Sequence, residues 1–205
     1  MKLKGKSALI TGAGSGIGKS IAQAFALAGV QVAIADLNLH AAQAVAEQIN
    51  SSGGEANSLQ MDVANEDQVN AGIERVTRES GGLDVLVSNA GIQIIDPIID
   101  FSFADWRKVL AVHLDGAFLT TRAAMRSMIQ HGQGGTILYL GSIHSHIASA
   151  NKSAYIAAKH GIIGLAKAVA KEGAKYSIRS NVICLDLFVP RWSRNRSLSK
   201  RNSLG

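Results

Sequence analysis

Cysteine occurs once in the 205 residues, as Cys184, so no internal disulfide can form and a disulfide-stapled scaffold is excluded. Proline is scarce, with 2 residues against 21 glycines. No run of eighteen apolar residues occurs, so no membrane-spanning helix is expected. The opening Met1-Lys-Leu-Lys-Gly-Lys-Ser7 carries no apolar signal region and leads straight into a strand pattern. A cytoplasmic protein with no membrane partner is the expectation. With 47% hydrophobic and 18% charged residues, the chain has an ordinary globular composition of a size that suits one α/β domain.

Acidic residues are the other shortage: 15 against 21 Lys and Arg, a net charge of +6. The imbalance is local. Residues 185–205 hold Arg191, Arg194, Arg196, Lys200 and Arg201 against Asp186 alone, so four of the six net charges sit there. That stretch has two aromatics, Phe188 and Trp192, and no docking motif, and no nucleic-acid partner is expected. It has no apolar periodicity after Val189 and reads as a disordered basic tail behind a domain spanning 1–184.

Within the domain, strand and helix patterns alternate six times, which predicts a parallel, doubly wound α/β sheet with helices on both faces. Ser7–Ile10 is an apolar strand running into Thr11-Gly12-Ala-Gly14-Ser15-Gly16-Ile17-Gly18 and then a helical pattern. A glycine-rich turn between strand and helix lets backbone approach a pyrophosphate at a helix N-terminus. The second strand, Gln31–Ala35, ends at Asp36, where a carboxylate can accept from ribose hydroxyls and repel a 2′-phosphate, so NAD is expected over NADP. The third strand, Asn57–Met61, ends at Asp62-Val63, and the fourth, Asp84–Ser88, runs into Asn89-Ala90-Gly91. Asn65-x-x-Gln68 and Ser102-x-x-Asp105 mark helix starts, the second opening a long helix toward Ile129.

After a strand at Thr136–Leu140 comes Ser142, and thirteen residues later Tyr155, with Lys159 four further on in a helix of about 153–176. That spacing puts Tyr155 and Lys159 on one helix face. A free Tyr is a poor acid/base at neutral pH. An ammonium about 6 Å away favours a phenolate by roughly 2.8 kcal/mol at an effective dielectric of about 20, toward the range useful in proton transfer. A hydroxyl at a strand end, as at Ser142, can hydrogen-bond an oxygen on which charge develops.

Taken together, Thr11-Gly12-x-x-x-Gly16-x-Gly18, Asn89-Ala90-Gly91 and Ser142…Tyr155-x-x-x-Lys159 resemble the short-chain dehydrogenases/reductases across residues 3–184. The resemblance implies a nicotinamide cofactor held by Thr11, Gly12, Ser15, Gly16, Ile17, Gly18, Asp36, Asp62, Val63, Asn89, Ala90, Gly91, Tyr155 and Lys159. It implies Tyr155 as acid/base, Ser142 on the substrate oxygen, Lys159 acting on Tyr155 and the nicotinamide ribose, and a tetramer. Residues 142–172 are similar more narrowly to NAD-dependent D-3-hydroxybutyrate dehydrogenases, as is His113-Leu-Asp-Gly-Ala-Phe118. That likeness implies a small 3-hydroxy acid of ketone-body metabolism as substrate. Gln93, Ser142, His144, Lys152 and Tyr155 would then touch it. His113 stands where many members have an Asn that completes a proton relay, and a His titrating near neutrality suits that task. His146 reads as a support or surface residue. The apolar faces of helices 103–131 and 153–176 suggest a homo-oligomer.

After the sixth strand, Arg179–Cys184, the family continues with Pro-Gly, a covering loop and a seventh strand, which the tail does not resemble. A one-base deletion near the codon of Leu185 accounts for this, because suitable codons for Leu185–Trp192 read Pro-Gly-Phe-Val-Arg-Thr-Pro-Leu with one base restored. Sequencing the gene across Cys184 tests it. Without a seventh strand, an open sheet edge, a tendency to aggregate and weak activity are expected. The competing expectations are a fragment that keeps only part of the nucleotide site, and a dehydrogenase for a sugar alcohol or 3-oxoacyl thioester.

Overall fold

The computed structural model describes residues 3–185; the tail from Asp186 on lies outside the described residues. Six parallel strands stand in the order β3-β2-β1-β4-β5-β6. They are β1 (Ser7–Thr11), β2 (Gln31–Asp36), β3 (Glu55–Gln60), β4 (Val85–Ser88), β5 (Gly135–Ser142) and β6 (Ile178–Leu185). The helices are α1 (Gly16–Leu27), α2 (Leu39–Ser51), α3 (Glu66–Ser80), α4 (Phe103–Leu110), α5 (Gly116–His131) and α6 (Ser153–Gly173). The doubly wound α/β expectation is met.

Strand side chains alternate between faces, and the core divides accordingly. In β1, Ala8 and Ile10 face one way, joining Val32, Ile34, Val85 and Val87 under α1 and α2. Leu9 faces the other way, with Leu86, Ile137 and Tyr139 under α3, α5 and α6. A strand buried on both sides has no polar face to show, which is why β1, β2 and β4 read as short continuous apolar runs. Tyr139 keeps its hydroxyl in this apolar layer by bonding Thr121 Oγ1 at 2.7 Å.

Helix starts follow the capping signals. Asn38, Asn65 and Ser102 each accept from the backbone N–H three residues on. Gln68 departs from the capping-box expectation: its side chain accepts from the Asp62 N–H, so it braces the end of β3 rather than its own cap. The long helix expected over 103–129 is also not continuous α-helix. Between α4 and α5, residues Ala111–Asp115 form a π turn with His113 at its centre. One extra residue in the turn rotates the following helix relative to the preceding one, and such turns gather at functional sites.

In an open sheet the strand order reverses once, here between β1 and β4, which leave in opposite directions toward β2 and β5. The crossovers diverge there and leave a crevice beyond the carboxyl ends of the two strands. The glycine-rich turn follows β1, and Asn89-Ala90-Gly91 follows β4, so both line that crevice. Among the described residues, β6 pairs only with β5, in the register Gly141↔Cys184 and Ser142↔Leu185.

Candidate active site

Two adjoining hollows occupy the crevice. One, of about 440 Å³, is lined by Gly12, Ser15, Gly16, Ile17, Asp36, Leu37, Met61, Asp62, Val63, Asn89, Ala90, Gly91, Ile92 and Val112. The other, of about 630 Å³, is lined by Gln93, His113, Ser142, His144, Lys152, Tyr155 and Lys159, with Leu140, Gly141, Ile143 and Leu185. Ile17, Asn89, Gly91 and Ile92 belong to both, so the nucleotide turn and the Tyr/Lys pair face one continuous cleft.

The first hollow fits a dinucleotide. Gly16 has φ +53° and nothing near the position a Cβ would take, leaving exposed backbone at the start of α1 for a phosphate. Gly12, at φ +62°, comes so close to the turn after β4 that a Cβ would stand 2.8 Å from Ala90 Cα. Asp36 holds the turn in shape: its Oδ2 accepts from Gly14 N–H at 2.8 Å and its Oδ1 from Asn38 N–H at 2.9 Å. Each carboxylate oxygen keeps a lone pair for a ribose hydroxyl.

Thr11 and Gly18, expected in contact with the cofactor, are not among the residues lining either hollow. Both brace the turn. Thr11 Oγ1 accepts from the N–H groups of Asn89 and Ala90, both at 3.0 Å, tying the end of β4 to β1. The Asn89 side chain donates back to the carbonyls of Thr11 and Gly12. Gly18 lets α1 pack on this knot, since a Cβ there would lie 2.4 Å from the Gly12 carbonyl oxygen.

The second hollow gathers all four residues expected to be catalytic. Ser142 is the last residue of β5, the strand end expected for it, and its Oγ accepts from His144 N–H at 3.2 Å. Lys159 is 5% exposed; its Nζ donates to the Leu140 carbonyl at 2.6 Å and lies 5.5 Å from the centroid of the Tyr155 ring. Burial disfavours the ammonium and pulls its pKa down from 10.5 to about 8, with Cys184 partly opposing the shift. His113 is 4% exposed. Burial, then the Lys159 charge, lowers its pKa from 6.5 to about 4. The expectation of a histidine titrating near neutrality is therefore wrong for this position: water exclusion keeps the imidazole uncharged.

Of the residues expected on the substrate, Gln93, His144 and Lys152 share the cleft wall with Tyr155. Lys152 Nζ lies 3.5 Å from His144 Nε2. His146 is exposed, as expected, beside Cys184 at 3.6 Å. The sequence reading missed Ile92, whose backbone holds His113, and Leu140, whose carbonyl holds Lys159. Both act through main-chain atoms, which every residue has, so residue identity gave no signal.

Comparison with known proteins agrees with this geometry. The short chain dehydrogenase family model matches residues 6–198. This chain belongs to the short-chain dehydrogenase family. It is 38% identical over 182 residues to D-threitol dehydrogenase of Mycolicibacterium smegmatis, covering 89% of this chain and 70% of the relative. It is 39% identical over 183 residues to D-beta-hydroxybutyrate dehydrogenase of Cupriavidus necator, again covering 89% and 70%. A crystal structure of a short-chain type dehydrogenase/reductase from Mycobacterium marinum superposes with a TM-score of 0.87 at 40% identity, covering 89% of this chain and 72% of that one. The protein is thus a nicotinamide-dependent oxidoreductase by family, and no helix among the described residues is long and apolar enough to cross a membrane.

The uncharged His113 has a measurable consequence. The unfolded chain protonates this imidazole below about 6.5 and the folded chain only below about 4, so folding stability falls as pH drops through that window. At pH 5 the loss relative to pH 7 is about 2 kcal/mol. Denaturant titrations at pH 7 and 5 should show His113→Asn losing less stability than wild type by about that amount. An identical acid sensitivity in both proteins would contradict the assignment.

Proposed function

We propose that this dehydrogenase uses NAD to interconvert a small 3-hydroxy acid, of the 3-hydroxybutyrate kind, with its 3-oxo acid. The observation that carries the reading is the composition of one cleft wall. Tyr155 and Lys159 stand beside Ser142, with the cation Lys152, His144 and the amide Gln93 on the same wall. A hydroxyl carbon placed at Tyr155 leaves a neighbouring carboxylate within the reach of these groups.

In the oxidative direction Tyr155 takes the hydroxyl proton while Ser142 donates to the substrate oxygen. Lys159 stabilises the phenolate and meets the nicotinamide ribose, and His113 takes part in the path by which the proton leaves. The cofactor supplies the hydride acceptor. Thr11, Gly12, Ser15, Gly16, Ile17, Gly18, Asp36, Asp62, Val63, Asn89, Ala90 and Gly91 hold the nucleotide, Thr11 and Gly18 also bracing its turn. A sugar alcohol is the second substrate class, favoured by the likeness to a D-threitol dehydrogenase. Initial rates with D-3-hydroxybutyrate and D-threitol separate the two. A kcat/KM at least about tenfold higher for the acid is expected, and the reverse order would assign the polyol class.

Asp36 sets the nucleotide preference. Its carboxylate, fixed by Gly14 and Asn38, would oppose a 2′-phosphate. Asp36→Ala should narrow the preference of NAD over NADP by about tenfold, equivalent to about 1.4 kcal/mol. Wild-type protein that prefers NADP would overturn the assignment.

The assembly proposed is a homo-oligomer through helices 103–131 and 153–176. Phe103, Phe118 and Ile129 are exposed on the first of these. Light scattering at micromolar concentration should return a multiple of the 21.5 kDa chain mass, and a monomer would contradict it. No nucleic-acid or membrane partner enters the reading, and a cytoplasmic location goes with it.

A further inference from the structure

Ser142 ends β5, and the chain turns at once behind it. Residues Ile143–Ser145 form a single 3₁₀ turn with Ser142 as its cap. β5 runs past its last pairing with β4, at Ser88↔Tyr139, so among the described residues its tip has a neighbouring strand on one side, β6. A strand tip held from one side needs further anchors if its side chain is to keep a fixed direction. Two are present. Lys159 Nζ donates to the Leu140 carbonyl at 2.6 Å. The Ser142 N–H donates to Ser145 Oγ at 3.1 Å.

The second anchor is half of a reciprocal pair. Ser142 Oγ accepts from His144 N–H at 3.2 Å, and Ser145 Oγ accepts from Ser142 N–H. Each serine thus satisfies a backbone donor of the turn that the other begins or ends. A serine hydroxyl has one proton and two lone pairs. With one lone pair of Ser142 held by His144 N–H, rotation of the hydroxyl is restricted, and its proton can point into the cleft that Ser142 lines. Ser145 is 2% exposed and is not among the residues lining that cleft. Gly141 makes room for its hydroxyl: a Cβ there would stand 3.1 Å from Ser145 Oγ and 2.6 Å from Val182 Cγ1.

We infer that Ser145 is a positioning residue for the reaction: its buried hydroxyl fixes the backbone of Ser142, and so the direction in which the Ser142 hydroxyl meets the substrate oxygen. The inference rests on the dehydrogenase reading of the cleft and adds to it a residue that touches neither substrate nor cofactor. A donor aimed at developing charge is effective only while it is held in place, and a small displacement lowers the rate more than it lowers binding. Without the Ser145 hydroxyl the Ser142 N–H loses its acceptor, and the tip of β5 keeps only the pairing with β6 and the Lys159 anchor. The loss should therefore appear in kcat, through Ser142.

The test has two arms. In the first, amide hydrogen exchange of the ¹⁵N-labelled full chain is followed by NMR without ligand. The Ser142 N–H should exchange at least about tenfold faster in Ser145→Ala than in wild type, while the amides of β1 and β4 keep their rates. An unchanged Ser142 rate overturns the inference. In the second arm, Ser145→Ala should lower kcat for 3-hydroxybutyrate about tenfold, with the substrate KM and the NADH Kd within about threefold. Ser145→Cys, kept reduced, retains the bulk of the side chain but offers sulfur, a weak acceptor, and should show the same loss without emptying the site. The deciding comparison is a double-mutant cycle: in a Ser142→Ala background, Ser145→Ala should cost less than about twofold more. Wild-type turnover in either Ser145 variant overturns the inference. So does a further loss of about tenfold in the Ser142→Ala background, because a general structural defect would not depend on Ser142. Wild-type protein inactive on every hydroxy acid and alcohol would instead defeat the dehydrogenase reading, while the exchange rates would still decide whether Ser145 holds Ser142.

Discussion

Tyr155→Phe should lower kcat by about 10²–10⁴-fold while the Kd for NADH stays within about twofold. The substitution removes one oxygen and leaves the ring. The ring's contacts with His113, His144 and Lys159 are edge and face contacts that Phe reproduces. What disappears is the only phenolic hydroxyl among the described residues lining the cleft, and with it the group that exchanges a proton with the substrate. Stopped-flow or initial-rate measurement of NADH formation, paired with NADH fluorescence titration, separates chemistry from binding. Turnover within about tenfold of wild type would remove Tyr155 from the acid/base role.

Gly18→Ala is the second large effect, and it acts through the fold. The added methyl would stand 2.4 Å from the Gly12 carbonyl oxygen and 2.6 Å from the Asn89 amide nitrogen. Neither neighbour can move freely. Gly12 is held at φ +62°, and the Asn89 amide is bonded to two carbonyls, those of Thr11 and Gly12. Helix α1 must therefore shift away from the turn it helps to form. The expected cost is about 1–3 kcal/mol in stability, as for other overpacked sites, together with a loss of nucleotide affinity of at least about tenfold. Denaturant titration and NADH titration read the two parts. Full affinity with wild-type stability would show that the close approach of turn, helix and Asn89 is not required.

The division between what was legible in the sequence and what was not follows the chemistry of each signal. Apolar runs buried on two faces and turn glycines are properties of residue type, so the parallel sheet and the place of its crevice were readable. The Tyr155/Lys159 pair was equally plain, because a spacing of four has one meaning in a helix. The state of His113 was not readable. Its imidazole stays uncharged because burial and Lys159 act on it from outside its own helix, and its orientation comes from the backbone of Ile92. The π turn that carries it falls inside an unbroken amphipathic pattern over Trp106, Val109, Leu110 and Leu114, with no proline or glycine pair to mark the extra residue. The motif names Thr11 and Gly18 as residues that the nucleotide turn needs, but not how they brace it. Their contacts with Asn89 and Gly12, which tie the turn to the end of β4, appear only in the folded structure.

The central claim is that this cleft transfers a hydride from a hydroxyl carbon to a nicotinamide. The most direct measurement is incubation of the full 205-residue chain with NAD and 3-hydroxybutyrate deuterated at carbon 3, with C-deuterated threitol in parallel, followed by mass analysis of the nicotinamide product. The account expects one deuterium on the reduced cofactor, formed faster from the acid and abolished by Tyr155→Phe. Reduced cofactor without deuterium from either substrate, or none formed while NADH still binds, would contradict it.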